Sequence, residues 1–467
     1  MSPSIATVVY GFFILALLLL ERNGNSRVSS SLWIPVVWLS ISASRVVSQW
    51  LGSSNYETVE QVAEGSPLDA LIFSGLLAAG LIVLIARRRR AWKFLRGNGP
   101  LLVLLAYCLI SVLWSDYPFV AFKRWTKALG DLVMVLVVLT DLEPKTAIER
   151  FFSRSGFLLV PLSILLIKYF PSLGRGYSPW TGEAYNNGVA THKNGLGYVC
   201  LIFGLTSLWY ILEALLRKNR PRASGPLIAH AANLAMVLWL FRMANSATSL
   251  TCFLVGGGLM AATSLPGLFR KTILVHVFVG MVLFLALYGL ILNPGAGLAE
   301  AVGRDQTLTG RTALWHQVLG MTVNPVFGAG YESFWLGGRL EQMWQVNWEH
   351  PNQAHNGYLE VYLDLGWIGL ALIGLVMAWG YRTVVRTLSW DPDVGRLKLA
   401  FFVIAVVYNL TEHGFRELHP VWIAFLLSVT VVPNAFAVEE PEIVALAPHE
   451  YCFEQPAAGV HACEEIT

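Results

Sequence analysis

The stretch TILVHVFVGMVLFLALYGLIL, residues 272–292, runs for 21 residues without Asp, Glu, Lys or Arg, and it decides the fold class. A helix needs about 20 mostly apolar residues to cross the hydrocarbon core of a bilayer. The rest of the chain has the same character, since 55% of its 467 residues are hydrophobic, 13% are charged and the mean hydropathy is +0.55. A soluble domain has roughly a quarter charged residues. The sequence therefore predicts an integral membrane protein.

Further apolar segments flank this stretch on both sides. Unbroken apolar runs favour helices over a barrel, because strands of a barrel alternate and because the backbone of a helix satisfies its own polar groups in lipid. We predict an all-α, polytopic membrane helix bundle of about twelve or thirteen spans. The candidate spans lie near residues 5–20, 32–51, 69–86, 99–115, 127–141, 155–170, 194–215, 227–241, 247–265, 272–292, 356–380, 398–411 and 420–435.

Basic residues in the short connections predict the orientation, because Lys and Arg are concentrated in cytoplasmic loops. Four connections on one side carry such clusters, namely Arg87 to Arg90 with Lys93 and Arg96, Arg217 to Arg222, Arg270 with Lys271, and Arg382 to Lys398. The connections 52–68 and 293–354 then lie on the extracytoplasmic side. Lys123 and Arg124 on that side depart from the rule, and we interpret 115–127 as an interfacial amphipathic segment.

The predicted organisation has four parts. Residues 1–292 hold the N-terminal spans, 293–354 form one large, partly helical outer loop, 355–435 hold the C-terminal spans, and 436–467 form an acidic, disordered cytoplasmic tail. The net charge of +3 follows from topology and does not indicate nucleic acid. The five cysteines have no disulfide or metal-binding spacing.

The loop 293–354 is where titratable side chains accumulate, and an enzyme of this composition is expected to act there. Its members are Arg304, Arg311, His316, Arg339, Glu341, Glu349, His350 and His355, the last at its end. The loop contains GRTALWHQVLGMTVNPVFGAGYESF (310–334) and continues into HPNQAHNGYLEVYLDLGWIGL (350–370).

These two segments, in this order and membrane context, resemble the signature of the O-antigen ligase and polymerase superfamily. The segments THKNGLGY (191–198) and SDYPFVAFKRWTKALGDL (115–132) resemble the ExoQ-like exopolysaccharide polymerases within it. The resemblance spans roughly 115–430. It implies transfer of a glycan from a polyprenyl-diphosphate carrier to an acceptor hydroxyl on the periplasmic side of the bacterial inner membrane. The chain has no Walker loop or dinucleotide fingerprint, and we predict no cofactor and no metal.

Two residues at the edges of the loop are the predicted catalytic pair. Arg311 suits a departing diphosphate, because a guanidinium stays charged and binds phosphate oxygens bidentately. His355 suits activation of the acceptor hydroxyl, because the unperturbed pKa of histidine lies near neutrality. Asn356 is expected to cap the following helix, with Glu360 about one turn further on.

Weaker candidates for substrate or diphosphate binding lie elsewhere on the same side: His192, Lys193, Arg242, Glu412 and Arg416. Lys193 is as well explained as a snorkelling side chain. Many family members carry an arginine within a motif of small residues, but the corresponding segment of this chain, Asn245 to Ser249, has none. Arg242, three residues before this segment, is the candidate substitute for that arginine. Glu412 and Arg416 are equally compatible with an ion-pair network that only closes the bundle.

The sequence therefore predicts an inverting, metal-independent polymerase of lipid-linked oligosaccharide repeat units. Its partners are the polyprenyl-diphosphate-linked oligosaccharide, the growing polysaccharide and membrane lipid, with chain-length regulators and export proteins expected from the family. One alternative is a ligase that transfers finished polymer to lipid A core. Another, of a different class, is a transporter of lipid-linked glycan, which the apparent scarcity of ionisable residues inside the spans disfavours.

Overall fold

The computed structural model describes residues 1–21, 26–53, 65–177, 182–216, 224–265, 272–292, 307–321 and 323–431. These residues form a helix bundle, as predicted. The helices are α1 (Pro3–Glu21), α2 (Trp33–Ser42), α3 (Val47–Trp50), α4 (Pro67–Ala86), α5 (Arg88–Gly97), α6 (Gly99–Ser111), α7 (Pro118–Leu139), α8 (Pro144–Tyr169), α9 (Pro171–Gly174), α10 (Lys193–Leu216), α11 (Ser224–Ala244), α12 (Ala247–Ser264), α13 (Thr272–Leu292), α14 (Thr307–Gly320), α15 (Gly337–Val346), α16 (Gly357–Trp390), α17 (Pro392–Tyr408) and α18 (Pro420–Val429). Short 3-10 turns precede α2 (Ser30–Leu32) and follow α6 (Val112–Trp114), and β1 (Arg175–Tyr177) pairs antiparallel with β2 (Ala184–Asn186).

Fewer helices than predicted meet the requirements of a membrane span. Among the described residues, seven are long and apolar enough to cross a bilayer, namely α1, α4, α8, α10, α11, α12 and α16. An eighth is obtained if α5 and α6, bent by 86°, are counted as one span. Helix is present in each predicted segment, but α2 and α18 have 10 residues each and α17 has 17. The predicted twelve or thirteen spans thus include helices too short, or too charged, to satisfy this criterion. Helix α13 meets it only in part, since its stretch Ile273–Tyr288 is apolar but falls among the shorter helices of 10–17 residues.

The most buried part of the bundle lies where α8, α10, α17 and α18 meet. Phe151, Phe203, Phe401 and Phe425 are fully buried there. Peripheral helices instead expose apolar side chains, as Phe12 of α1 does. Lipid is as apolar as leucine, so such exposure costs nothing in a bilayer. This distribution agrees with a membrane-embedded bundle.

The segment 115–127 does not form an element separate from the following span, and its interfacial position stays a prediction. Its residues from Pro118 onward are the first turns of α7, a continuous helix of 22 residues. Helix α7 is long enough to cross a bilayer but is too charged to count as a span. Its four charged residues are Lys123, Arg124, Lys127 and Asp131.

The described part of the predicted loop, 307–354, holds α14 and α15 and is packed on a small core of its own. Val318, Phe334, Trp335, Leu340 and Met343 are buried in this core. The remainder of the predicted loop, 293–306 with Arg304, and the predicted tail 436–467 lie outside the described residues.

Helix α16 is interrupted at Gly366, and the NPVFGAG segment (324–330) fills the interruption. The amide nitrogens of Ala329 and Gly330 donate to the carbonyls of Leu363 and Asp364 at 2.9 and 2.8 Å. In the other direction, the Trp367 amide donates to Pro325 at 2.9 Å. Gly366 has φ 64° and ψ −161°, a conformation open essentially to glycine alone. The loop is therefore fastened to the helix that follows His355.

Replacing Gly366 by Ala is expected to destabilise the protein by roughly 2 kcal/mol or more, because of the positive φ. A Cβ atom there would also meet the carbonyl of Val326. Gly374 of the same helix has open space around it, so Gly374→Ala is the matched control and is expected to be neutral or slightly stabilising. Thermal unfolding of the detergent-solubilised protein measures both. Equal melting temperatures for the two variants would contradict the fastening role.

Candidate active site

His355 lies at the entry of α16 in a backbone conformation that few residues adopt. Its φ is +54°, in the left-handed region. The next residue, Asn356, caps the helix, and its side-chain oxygen accepts hydrogen bonds from the amides of Tyr358 and Leu359 at 3.0 Å each. The predicted cap is therefore confirmed. It fixes the direction of the chain immediately before α16 and so the position of His355.

Glu412 joins the two predicted catalytic residues. One of its carboxylate oxygens, Oε2, lies 3.4 Å from Nδ1 of His355, at the long end for a hydrogen bond. The other oxygen, Oε1, accepts from the guanidinium of Arg311 at 3.2 Å and from Nδ2 of Asn194 at 3.0 Å. We call Arg311, His355, Glu412 and Asn194 the Glu412 cluster. It combines α10, α14, the start of α16 and the turn between α17 and α18.

The side chains of α14 that hold this arrangement share one helix face. Arg311 and Trp315 are four residues apart and therefore point the same way. The indole of Trp315 donates to the carbonyl of Ala354 at 2.8 Å. Arg311 donates to the carbonyl of Thr411 as well as to Glu412. His355, between Ala354 and the capped helix, is thereby held against Glu412.

A second asparagine shapes the turn that carries Glu412. The side-chain oxygen of Asn409 accepts from the amides of Gly414 and Phe415 at 2.8 and 2.9 Å. The amide of Gly357 donates to the carbonyls of Asn409 and Glu412 at 2.8 and 3.0 Å. The turn is thus bonded directly to the first residue of α16.

The charges around Glu412 favour its ionised form. Burial alone would raise the pKa of this carboxyl. The hydrogen bond from His355 and the positive charges of His355, Arg311 and His192 act in the opposite direction. Their combined effect is larger, so the pKa of Glu412 lies below its ordinary value. Glu412 is therefore a carboxylate at neutral pH. A carboxylate on Nδ1 orients the imidazole and favours the tautomer whose Nε2 is an acceptor.

The other predicted residues have diverse positions. Glu360 is buried and accepts from the indole of Trp335 at 2.7 Å and from the amide of Ala354, so it holds the loop rather than facing a ligand.

Nδ1 of His192 accepts from the amide of Gly195 at 3.1 Å. The side chains of Lys193 and Arg242 are exposed, and no hydrogen bond within the described chain ties either one to the Glu412 cluster. Arg416 lines a cavity beyond His413.

Trp315 and Asn409 are positioning residues that sequence reasoning missed. The four-residue spacing from Arg311 is a signal that could have found Trp315. Nothing in the sequence places the turn at Asn409 beside Gly357. Among the residues that the structure describes, no group of three or more His, Cys, Asp or Glu side chains is arranged to hold a metal ion.

Comparison with known proteins supports the resemblance seen in the sequence. A family model described as O-antigen ligase matches residues 231–374, which include most of α11, all of α12 to α15 and the first half of α16. The exopolysaccharide production protein ExoQ of Rhizobium meliloti is 27% identical over 304 residues, covering 62% of this chain and 65% of that protein. A Rickettsia conorii protein provisionally named a polysaccharide ligase is 21% identical over 361 residues, covering 75% of this chain and 84% of its own length.

The match to residues 231–374 and the similarity to these two proteins support the resemblance to the O-antigen ligase and polymerase superfamily. The aligned region spans slightly less than two thirds of ExoQ. Arg311 and His355 lie inside the matched residues of this superfamily, whereas Glu412 and Asn194 lie outside them. The tertiary structure thus adds to the superfamily segment a carboxylate that contacts both of its predicted catalytic side chains.

Proposed function

We propose that this protein is a glycosyltransferase of the bacterial inner membrane. It polymerises oligosaccharide repeat units carried on polyprenyl diphosphate, and its active site faces the periplasm. The observation that carries the proposal is the Glu412 cluster, in which one carboxylate contacts a histidine on one oxygen and an arginine on the other. That arrangement provides a base and a fixed cation side by side.

The acceptor hydroxyl is activated by His355. With Nδ1–H directed at Glu412, the lone pair of Nε2 takes the proton of the hydroxyl as its oxygen attacks the anomeric carbon of the donor sugar. The bond from that carbon to the diphosphate oxygen breaks, and the bonding electrons leave with the diphosphate on its lipid. A single displacement inverts the anomeric configuration. Glu412 stabilises the imidazolium that forms.

The leaving diphosphate is stabilised by Arg311. A guanidinium has five N–H donors, and its bonds to Thr411 and Glu412 leave donors for phosphate oxygens. The side chain of Arg311 is about one fifth exposed, so these donors are accessible from the loop side. The two structural bonds hold the cation in place before the diphosphate departs, which removes the cost of reorganising it.

A transporter of lipid-linked glycan is the alternative of a different class. The sequence expectation that the bundle holds almost no buried ionisable residues is wrong, since Asp131 and Asp364 are both buried. However, Asp131 accepts from Trp38 and Leu418, and Asp364 accepts from the amides of Ser333 and Phe334. These carboxylates fasten loops to helices, and their hydrogen bonds favour a fixed scaffold.

A deletion strain distinguishes the three functions. Loss of a polymerase leaves single repeat units on the exported carrier, loss of a ligase leaves long polymer unattached to lipid A core, and loss of a transporter traps the donor on the cytoplasmic face. We expect the first result, with restoration by the wild-type gene. Retained anomeric configuration in the product would overturn the single displacement. Long free polymer would favour the ligase, consistent with the provisional name of the Rickettsia conorii relative.

A further inference from the structure

Helix α5, Arg88–Gly97, is a short basic helix with a direction of its own. Its sequence, RRRAWKFLRG, contains five cations and no acidic residue. It is bent by 86° from α6, the helix that follows it. A helix at right angles to one that runs across the bilayer lies along the bilayer surface, which is the position that basic amphipathic helices favour.

The contacts of α6 place α5 at the end of the bundle remote from the Glu412 cluster. At the far end of α6, the hydroxyl of Ser111 accepts from the amide of Tyr331 in the outer loop at 3.0 Å. At its near end, the side chain of Asn98 exchanges two hydrogen bonds with the backbone of Val431, at 2.6 and 2.8 Å. The 13 residues of α6 separate these ends by about 20 Å. Helix α5 and the candidate active site therefore lie at opposite surfaces of the bilayer.

The fold uses two of the four consecutive arginines at the start of α5. The guanidinium of Arg87 donates to the carboxylate of Asp141 at 3.0 Å. The guanidinium of Arg90 donates to the backbone carbonyls of Thr140 and Asp141, each at 3.4 Å. These bonds brace α5 against the end of α7. They also engage the buried carboxylate of Asp141, which is then not available to the other cations of α5.

The remaining cations of α5 are directed away from the bundle. Arg88, Trp92 and Arg96 follow one another at intervals of four residues and form one stripe, and Arg89 and Lys93 form a second stripe beside it. All five side chains are exposed, Trp92 at 62%, whereas Phe94 on the other side of the helix is buried. Within the described ranges, no hydrogen bond or ion pair engages any of these four cations.

We propose that the exposed face of α5 binds anionic phospholipids of the leaflet at this end of the bundle. The phosphate oxygens accept from Arg88, Arg89, Lys93 and Arg96, because a charged donor and a charged acceptor form the stronger hydrogen bonds. The indole of Trp92 lies at the level of the head groups, which its amphipathic ring favours. Since α5 has no carboxylate to pair with a choline group, its face attracts an anionic lipid more than a zwitterionic one.

This inference does not depend on the proposed function. Lipid binding at α5 leaves the chemistry of the Glu412 cluster unchanged. With an active site that faces the periplasm, the leaflet in question is the cytoplasmic one, where clusters of Lys and Arg beside a span attract anionic lipid.

The acidic segment 438–467 of the same chain is the other candidate occupant of this face. It has seven glutamates and no Lys or Arg, and it follows Val431, which is bonded to Asn98 beside α5. We favour lipid because α5 lies along the bilayer surface, where head groups surround it. A deletion variant, described below, distinguishes the two.

Native mass spectrometry of the full-length protein in detergent tests the proposal. The protein is titrated with phosphatidylglycerol and, separately, with phosphatidylcholine, and we expect phosphatidylglycerol to bind about tenfold more tightly or better. The variant that combines Arg88→Gln, Arg89→Gln, Lys93→Gln and Arg96→Gln should reduce this preference to less than about twofold. An unchanged preference would overturn the proposal.

A pair of double variants separates α5 from the general basic character of this end of the bundle. Arg89→Gln with Lys93→Gln should weaken phosphatidylglycerol binding about fivefold or more. Arg382→Gln with Arg386→Gln removes two exposed cations, also four residues apart, from the last turns of α16, and should change binding less than about twofold. Equal losses in the two variants would show a diffuse basic surface and would refute a site on α5. All of these positions are exposed, so thermal unfolding should match that of wild type.

Deletion of residues 438–467 decides between lipid and the acidic segment. If lipid occupies the face, the affinity for phosphatidylglycerol should stay within about twofold of wild type. A rise of about tenfold on deletion would show that the acidic segment covers α5 in the intact chain, since removing seven glutamates would then expose four cations to the lipid. That result would overturn the proposal in favour of a contact within the chain.

Discussion

Replacement of His355 by Ala is expected to lower polymer synthesis about 10²–10⁴-fold, the usual contribution of a general base. The physical reason is that the acceptor hydroxyl loses the group that removes its proton, while the fold keeps the cap by Asn356. Polymer length on carbohydrate gels from complemented deletion cells, together with initial rates on purified lipid-linked donor, measures the effect. Protein in the membrane fraction must equal that of wild type.

His350→Ala is the matched control for this experiment. His350 belongs to the same loop but is exposed and stacks on Trp344 at 4.7 Å between ring centroids. We expect the control to retain activity within a few-fold of wild type. Comparable losses in both variants would indicate a general effect on the loop and would remove the catalytic role from His355.

Replacement of Glu412 by Gln is expected to reduce polymer synthesis about 10²-fold or more, because an amide holds the imidazole without stabilising the imidazolium or selecting its tautomer. The same change should destabilise the protein by about 1–2 kcal/mol. A buried charge pair that loses one partner costs more than this, but Arg311 and His355 are partly exposed and water compensates them. Glu341→Gln, at an exposed position of the loop, is the control for both measurements.

The stability contribution of Glu412 should depend on pH in a defined direction. Its pKa is lowered in the folded state, so the contribution is fully present above the unfolded value near 4.5 and is lost as the pH falls through the lowered folded value. The difference in melting temperature between wild type and Glu412→Gln should therefore be constant near neutrality and shrink below about pH 4.5. A difference that grows on acidification would contradict an ionised Glu412.

Much of the fold was accessible from composition. The apolar runs predicted an all-α membrane bundle because only helices and closed barrels satisfy the backbone in lipid. The number of spans was not accessible, because an apolar run does not reveal how long the helix within it is, as α2 and α18 show with 10 residues each. Interruptions within a helix were not accessible either. Gly366 breaks α16 only because the NPVFGAG segment donates and accepts hydrogen bonds there. Likewise, the sequence did not show that Lys123 and Arg124 belong to a continuous helix of 22 residues and line a cavity.

The candidate site was predicted in part. Arg311 and His355 were proposed from the resemblance of their motifs, and their catalytic roles stay a prediction. The cap at Asn356 followed from local chemistry, since a cap bonds to amides two and three residues ahead. Glu360 was placed among the ligand-binding residues, but its carboxylate bonds to Trp335 and Ala354 instead. Spacing alone cannot distinguish a carboxylate that faces substrate from one that holds a loop.

By itself, the sequence determined the membrane class of this protein, the loop that carries its titratable groups and the two residues at the edges of that loop. The tertiary structure alone decided that Glu412 contacts both of them, and that Lys127 and Arg416 meet at one cavity. Composition and helix periodicity are properties of consecutive residues within a few helical turns, so they can be recognised from the sequence. Contacts between residues 57 and 101 positions apart, as between Glu412 and its two partners, exist only after the helices have packed.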